Sequence, residues 1–450
     1  PYAIDDAWIT YRYAENLANG LGMVYNPGEH VLGTSTPLYT LILAILHVFG
    51  APVPASSQAI GFVAMLGTLG GIFLLTKRVH SEPAALLAAG LVVSMGSFNQ
   101  VVAQGMETPL YVCLIVFSFY FFATDSLYLF AVLAALCALT RLDGLGVGIA
   151  GFATYWLIRR RLPGKAVALY VACLLPWALF SYYYFGSISP NALIAKQVHN
   201  DYRITFWIID WLSGQPLTPF AIVGAGAMIA APLTRKVGLL LVTWLLGYVT
   251  AYSLARISFY AWYVTPLTAA LAILAAVGIL TILKTVFHGR AIQGILLAVL
   301  IIFLVLPDFR LVQRRLRGDV GIEKADQVRY DAAHWLRDNL PRSAVIVSGG
   351  IGQVGYFTQN YILDASGLVS PQVITDIPWT WPRFLPFIIE HYRPEYVFEA
   401  FPDVPDYMKD DYSIVRTWEV GDSFFQRFYL FRRTGTDSIE RDNSVGGLAK

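Results

Sequence analysis

Asp5 and Asp6 stand side by side in the opening stretch IDDAWITYRYAENLANGLGMVYNPGE. Two kinds of chemistry suit such a pair. A carboxylate can take the proton from an attacking hydroxyl, and partial desolvation raises its pKa toward a working value. It can also serve a helix terminus, with Asp5 capping WITYRYAENLANG and Asp6 favouring the positive end. A cap explains one acid. Two acids beside an oily chain point to function, because carboxylates at a bilayer boundary are costly.

Further groups with chemical potential are scattered in short polar segments. Glu107 lies in GMETP, where it could also start a helix before Thr108-Pro109. Arg141 and Asp143 lie in LTRLDG, spaced for an ion pair. Lys196 follows GSISPNALIAK, which also carries Asn191, and Arg256 opens the stretch ARISFYAWY. Cations at a membrane face can hold a lipid phosphate. Lys196, Asn191, Arg12 and Arg256 are therefore the candidates for contacts to a phosphate or sugar, with Tyr11, Glu107, Arg141 and Asp143 as secondary candidates. Tyr260, Trp262 and Tyr263 read as an interfacial aromatic belt. Asp5, Asp6 and Glu107 could share a divalent cation through oxygens, but hydroxyl activation by a carboxylate needs no cofactor.

What must position these groups is a membrane protein. The 450 residues are 56% hydrophobic and 14% charged, where soluble domains carry about a quarter charged residues. Of 32 Lys+Arg and 30 Asp+Glu, only 15 and 10 fall in residues 1–306. The chain thus divides into a first loop (1–36), a membrane part (37–306) and a soluble tail (307–450). Apolar runs at 57–79, 83–98, 108–123, 126–141, 144–158, 165–185, 217–232, 236–254, 260–283 and 291–306 read as ten spans. PLYTLILAILHVF is shorter and reads as an interfacial helix. A further span is expected before residue 1.

Loop charges orient the spans. One set of alternate loops holds Lys77, Arg78, Arg159, Arg160, Arg161, Lys165, Arg235, Lys236, Lys284 and Arg290; the other holds Arg12, Arg141, Lys196, Arg203 and Arg256. The richer set is cytoplasmic by the positive-inside rule. IDDAW, AQGMETP, LTRLDG, GSISPNALIAK and ARISFYAWY then share the outer face.

In the tail, DQVRYDAAHWLRDNLP and FLPFIIEHYRP read as helices. AVIVSGG, YILDAS, EYVFEA, YSIVRTW and FFQRFYLFRR read as strands, giving a small α/β domain. GGIGQVGY does not match the dinucleotide fingerprint and reads as a strand–turn–helix junction. Cys113, Cys137 and Cys173 lie in apolar runs as small hydrophobes. No basic cluster interleaved with aromatics suggests nucleic acid, and the seven histidines show no metal spacing.

The first loop IDDAWITYRYAENLANGLGMVYNPGEHVLGTSTPLYT resembles that of GT-C-fold glycosyltransferases. It is most similar to bacterial enzymes of the mycobacterial terminal arabinofuranosyltransferase type. Protein O-mannosyltransferases and lipid A aminoarabinose transferases are more distant. GMETPLY, ALTRLDG, GSISPNALIAK and GGIGQVGYFTQNYILDASGLVSPQV resemble further segments in the same order. ARISFYAWYVTPL departs from the family's late loop. The resemblance implies a polyprenyl-phosphate sugar donor at the outer leaflet of the cytoplasmic membrane. The acceptor would be a hydroxyl of a glycan, lipid or protein, and transfer would invert the anomeric centre. It also implies a first-loop acid as general base, a role that falls on Asp5 with Asp6 beside it. Ten spans would equally suit a transporter or flippase for a lipid-linked saccharide, but the chain lacks the internal repeats and mid-span charges usual there.

Overall fold

A computed structural model describes residues 3–199, 206–287, 289, 291–300, 302, 321–375, 384–421 and 427–435. Arg203, Arg290, the end of the last apolar run (303–306), residues 424–426 of the final strand and everything after 435 lie outside the described residues.

All ten apolar runs are helical where described. They form α3 (Val53–Val79), α4 (Glu82–Ser94) with α5 (Gly96–Ala103), α6 (Thr108–Ala123), α7 (Leu127–Thr140), α8 (Leu145–Arg159), α9 (Gly164–Phe185), α12 (Thr218–Ala230), α13 (Arg235–Ala255), α14 (Thr265–Val286) and α15 (Ala291–Leu300). Among the described residues, only α3, α9, α13 and α14 are by themselves long and apolar enough to cross a membrane. The run expected to span at 83–98 is interrupted: α4 and α5 meet at an angle of 63°. Three further helices are α2 (Pro37–Val48), α10 (Asn191–His199) and α11 (Trp207–Gly214), of which the last two were not foreseen. Of these, α2 coincides with the expected interfacial helix. The chain is a multi-pass α-helical membrane protein with a small α/β domain at its C-terminal end.

That domain follows helix α16 (Gly321–Asn339). Its strands are β1 (Val345–Ser348), β2 (Tyr361–Asp364), β3 (Tyr396–Phe401), β4 (Tyr412–Glu419) and β5 (Arg427–Arg433), in the order β2-β1-β3-β5-β4. The first three are parallel and the last two pair antiparallel. Helix α17 (Ile351–Thr358) connects β1 to β2, so GGIGQVGY is the strand–turn–helix junction expected of it.

The first loop joins the two parts. Helix α1 (Asp5–Ala18) ends at Asn19, and Gly20 takes the left-handed conformation (φ 78°) common after a helix. One face of α1 (Ala7, Trp8, Tyr11, Ala14) packs on Tyr39, Leu43 and Val53 of the membrane part. Ile9 and Tyr13 enter the core of the α/β domain with Ile346, Val354 and Leu430. Being buried on two sides, α1 carries apolar residues around much of its circumference rather than in one stripe. Beyond it, Asn26 pairs with β2 as a strand would. Its side-chain amide donates to the Ile362 carbonyl at 2.9 Å and its carbonyl accepts the Ile362 N–H at 3.1 Å.

Candidate active site

The five polar segments converge. IDDAW, AQGMETP, LTRLDG, GSISPNALIAK and ARISFYAWY each contribute residues to one cavity of about 320 Å³. Asp6, Glu107, Arg141, Asp143 and Lys196 line it, together with Thr10, Thr34, Thr36, Tyr252, Trp262, Tyr263 and Leu368.

At one end lies a fixed ionic network. Arg141 donates to Glu107 Oε1 at 2.8 Å and to Asp143 Oδ1 at 3.1 Å. Tyr252 and Tyr248 donate to Asp143 Oδ2 at 2.7 and 3.0 Å. The Arg141 and Glu107 side chains are only 9% and 6% exposed. A buried ion pair persists only with extra hydrogen bonds on both partners, and the two tyrosines supply them to Asp143. Because two carboxylates take up the Arg141 charge, Arg141 holds the site's shape rather than offering an open cation.

Lys196 is differently placed. Its ammonium donates to the Tyr263 hydroxyl at 2.9 Å and sits over the rings of Tyr260 and Tyr263 at 5.1 and 5.5 Å. Burial opposes its charge, but Tyr263, Asp6 and Tyr260 more than offset that, and its pKa lies above the usual lysine value. The aromatic run expected to form a membrane belt is therefore, at Tyr260 and Tyr263, a cage for a lysine.

Asp6 and Asp5 part company. Burial raises the pKa of Asp6, Lys196 lowers it, and Asp5 and Glu107 raise it further; the net direction is up. Asp5 is not in the cavity lining. Its two oxygens accept the N–H groups of Gly352 and Gln353, each at 2.9 Å. Nor does Asp5 cap its own helix: it is the first residue of α1, and Ile4 holds the cap position. It caps α17 of the α/β domain instead, where a carboxylate meets unpaired N–H groups and the positive helix end.

The remaining sequence candidates also lie elsewhere. Arg12 is fully buried against the α/β domain, donating to the Asn360 carbonyl at 2.8 Å with its guanidinium 4.2 Å from the Tyr25 ring centre. Asn191 donates to the carbonyls of Gly367 and Leu368 at 2.6 and 2.9 Å, fastening α10 to the domain. Tyr11 is buried, its hydroxyl 2.5 Å from Ser57 Oγ and 2.9 Å from the Gly105 carbonyl. Arg256 is exposed, and its neighbours Ala255 and Ile257 line the cavity in its place. Asp5, Asp6 and Glu107 do not form a shared cation site: Asp5 faces α17 and Glu107 faces Arg141. Among the described residues no group of three or more His, Cys, Asp or Glu is placed to hold a metal.

Sequence reasoning missed Tyr248, Tyr252 and the threonines. The Thr/Ser-rich GTST just before the α2 proline was the available signal for Thr34 and Thr36. Nothing marks Tyr248 and Tyr252 among the aromatics of an apolar helix.

A family model described as a domain of unknown function (DUF8728) matches residues 317–439, the α/β part. A sequence comparison with curated proteins gives no match. Solved structures do match. ArnT from Cupriavidus metallidurans, bound to undecaprenyl phosphate, superposes with a TM-score of 0.59 at 13% identity, over 97% of this chain and 95% of ArnT. The Archaeoglobus fulgidus oligosaccharyltransferase, in complex with Zn and sulfate, gives a TM-score of 0.59 at 13% identity, over 89% of this chain and 64% of the other. The oligosaccharyltransferase AglB of the same organism, with an inhibitory peptide and a dolichol-phosphate, gives 0.56 at 13% identity, over 89% and 66%. These proteins share the GT-C fold, and over nearly its whole length the present chain has that fold too.

Proposed function

We propose that this chain is an inverting glycosyltransferase. It moves a sugar from a polyprenyl-phosphate donor to a hydroxyl of a cell-envelope glycan, lipid or protein, on the outer face of the bacterial cytoplasmic membrane. One observation carries the reading: a half-buried carboxylate, Asp6, and a caged cation, Lys196, share one cavity at the junction of the membrane part and the α/β domain. The fold shared with ArnT, which binds undecaprenyl phosphate, and with AglB, which binds a dolichol-phosphate, supports it.

The cavity has a side suited to a lipid. Leu193, Ala251, Ala255 and Ile257 line it, and Ala251 and Ala255 stand on α13, a helix long and apolar enough to span. Leu193 and Lys196 are three apart on α10, so an alkyl chain along this wall brings its phosphate to the ammonium. Asp6 then takes the proton of the acceptor hydroxyl as its oxygen bonds to the anomeric carbon. The bond from that carbon to the phosphate oxygen breaks, and the electron pair leaves with the polyprenyl phosphate. Its charge is met by Lys196. A phosphate leaves without a general acid. Attack opposite the leaving group inverts the centre.

The test is direct. Purified protein is incubated with a panel of polyprenyl-phosphate pentoses and hexoses and a cell-envelope extract, and the products are read by mass spectrometry. Mass addition of one sugar with release of polyprenyl phosphate is expected. A protein that binds the lipids and moves them across vesicles without transfer is a flippase instead.

A further inference from the structure

Part of the cavity lining is made of hydroxyls, and nothing in the transfer step above uses them. Thr10, Thr34 and Thr36 are 8%, 3% and 5% exposed and line the cavity with Ser35. The Thr36 hydroxyl lies 3.1 Å from that of Thr34 and 3.3 Å from that of Thr10. Three hydroxyls carry three O–H donors and six acceptor sites. Two O–H groups serve the bonds within the chain, and the Thr36 N–H takes one acceptor site on Thr34 at 3.3 Å. One donor and several acceptor sites are left over.

Thr36 gives up an ordinary job to make this wall. It holds the cap position of α2, where a threonine normally accepts an N–H of its own helix, yet its side chain makes no such bond. It turns toward Thr10 and Thr34 instead, while Thr40 donates to its carbonyl at 3.0 Å and fixes the turn.

The wall is also placed for a particular substrate. Thr10 and Asp6 are four apart on α1, one turn along the same face, with Cβ atoms about 5–6 Å apart. Leu368 of the α/β domain lines the cavity with the threonines. The wall carries no charge, and Arg141, the nearest guanidinium along the lining, is held by Glu107 and Asp143.

We propose that Thr10, Thr34 and Thr36 form the acceptor subsite, and that the acceptor is a neutral saccharide whose hydroxyls neighbour the attacking one. This rests on the transferase reading and names the acceptor class for it. Neutral hydroxyls that both donate and accept suit sugar hydroxyls, whereas a peptide acceptor would present one hydroxyl and a backbone to be paired.

The experiment measures binding, not turnover. Protein in a sugar-free detergent is titrated with methyl glycosides of mannose, galactose and arabinofuranose, read by saturation-transfer NMR, and with a Ser/Thr-containing peptide. Undecaprenyl phosphate binding is read separately by thermal stabilisation. At least one glycoside should bind, with Thr36→Val and Thr10→Val weakening it roughly 3- to 10-fold, the worth of one neutral hydrogen bond. Thr36→Ser should restore it, which excludes misfolding, and lipid-phosphate binding should stay unchanged in all variants. Peptide binding without glycoside binding, or valine variants that weaken only the lipid phosphate, would overturn the proposal. Glycoside binding without any undecaprenyl phosphate binding would keep the saccharide subsite and sink the transferase reading.

Discussion

The amide of Gly352 donates to the carboxylate of Asp5 at 2.9 Å, joining residues 347 apart in the chain. The contact is tight. A methyl on Gly352 would overlap the Asp5 carbonyl oxygen, and one on Gly355 would meet Tyr25 and Arg12. Gly352 and Gly355 of GGIGQVGY thus let α17 lie against the first loop. Arg329 adds a longer ionic contact to Asp5 at 3.9 Å. Asp5→Ala removes two charge-assisted bonds, each worth roughly 1.5–3 kcal/mol, and should weaken docking. Limited proteolysis should then release the α/β domain sooner, and Gly352→Ala should do the same. Unchanged protease resistance in both would contradict the clamp.

Lys196 is expected to act through the phosphate. Lys196→Met should weaken undecaprenyl phosphate binding about 10- to 100-fold, as loss of a charge-assisted contact does. Thermal stabilisation by the lipid reads this. Equal stabilisation of variant and parent would remove Lys196 from the donor site.

The pH profile should carry two opposite signatures. Asp6 works as a base only when ionised, and its pKa is raised by burial. Activity should fall as pH drops through a value above the ordinary carboxylate range. Lys196 lowers the Asp6 pKa and Asp5 raises it. So the acid limb should move to higher pH in Lys196→Met and to lower pH in Asp5→Asn. Shifts of the same sign would mean that another group titrates.

Arg141 should matter for folding before it matters for chemistry. Arg141→Leu leaves Glu107 and Asp143 buried without their cation, a loss of about 3–5 kcal/mol. Arg141→Lys should recover part of it, since one ammonium cannot reproduce the forked contacts. Melting in detergent distinguishes the two; a leucine variant as stable as the parent would show the network to be dispensable.

Much of this arrangement was legible from residue order. Hydrophobic runs marked the helices, and the short polar segments between them marked the cavity, because a membrane protein gathers its polar groups where water and lipid meet. The end of α1 at Asn19-Gly20 and all five strands followed from turn and alternation signals. The break at Met95 did not, since the run from 83 to 98 is apolar on both sides of it. Nor could the sequence separate Asp5 from Asp6. Adjacent helical residues point about 100° apart, and which of them meets the cavity depends on α17, more than three hundred residues away. Arg12 and Asn191 misled for the same reason: their partners, Asn360 and the Gly367–Leu368 carbonyls, come from a domain that folds back over the first loop.

The division of labour between the adjacent acids is the central claim, and single-turnover transfer by Asp6→Asn, measured beside donor binding on the same folded protein, tests it most directly. Loss of the base should slow transfer roughly 100- to 10,000-fold with undecaprenyl phosphate binding intact, while Asp5→Asn retains far more activity. Near-parental turnover by Asp6→Asn, or an Asp5→Asn defect as deep as that of Asp6→Asn with the α/β domain still docked, would contradict it.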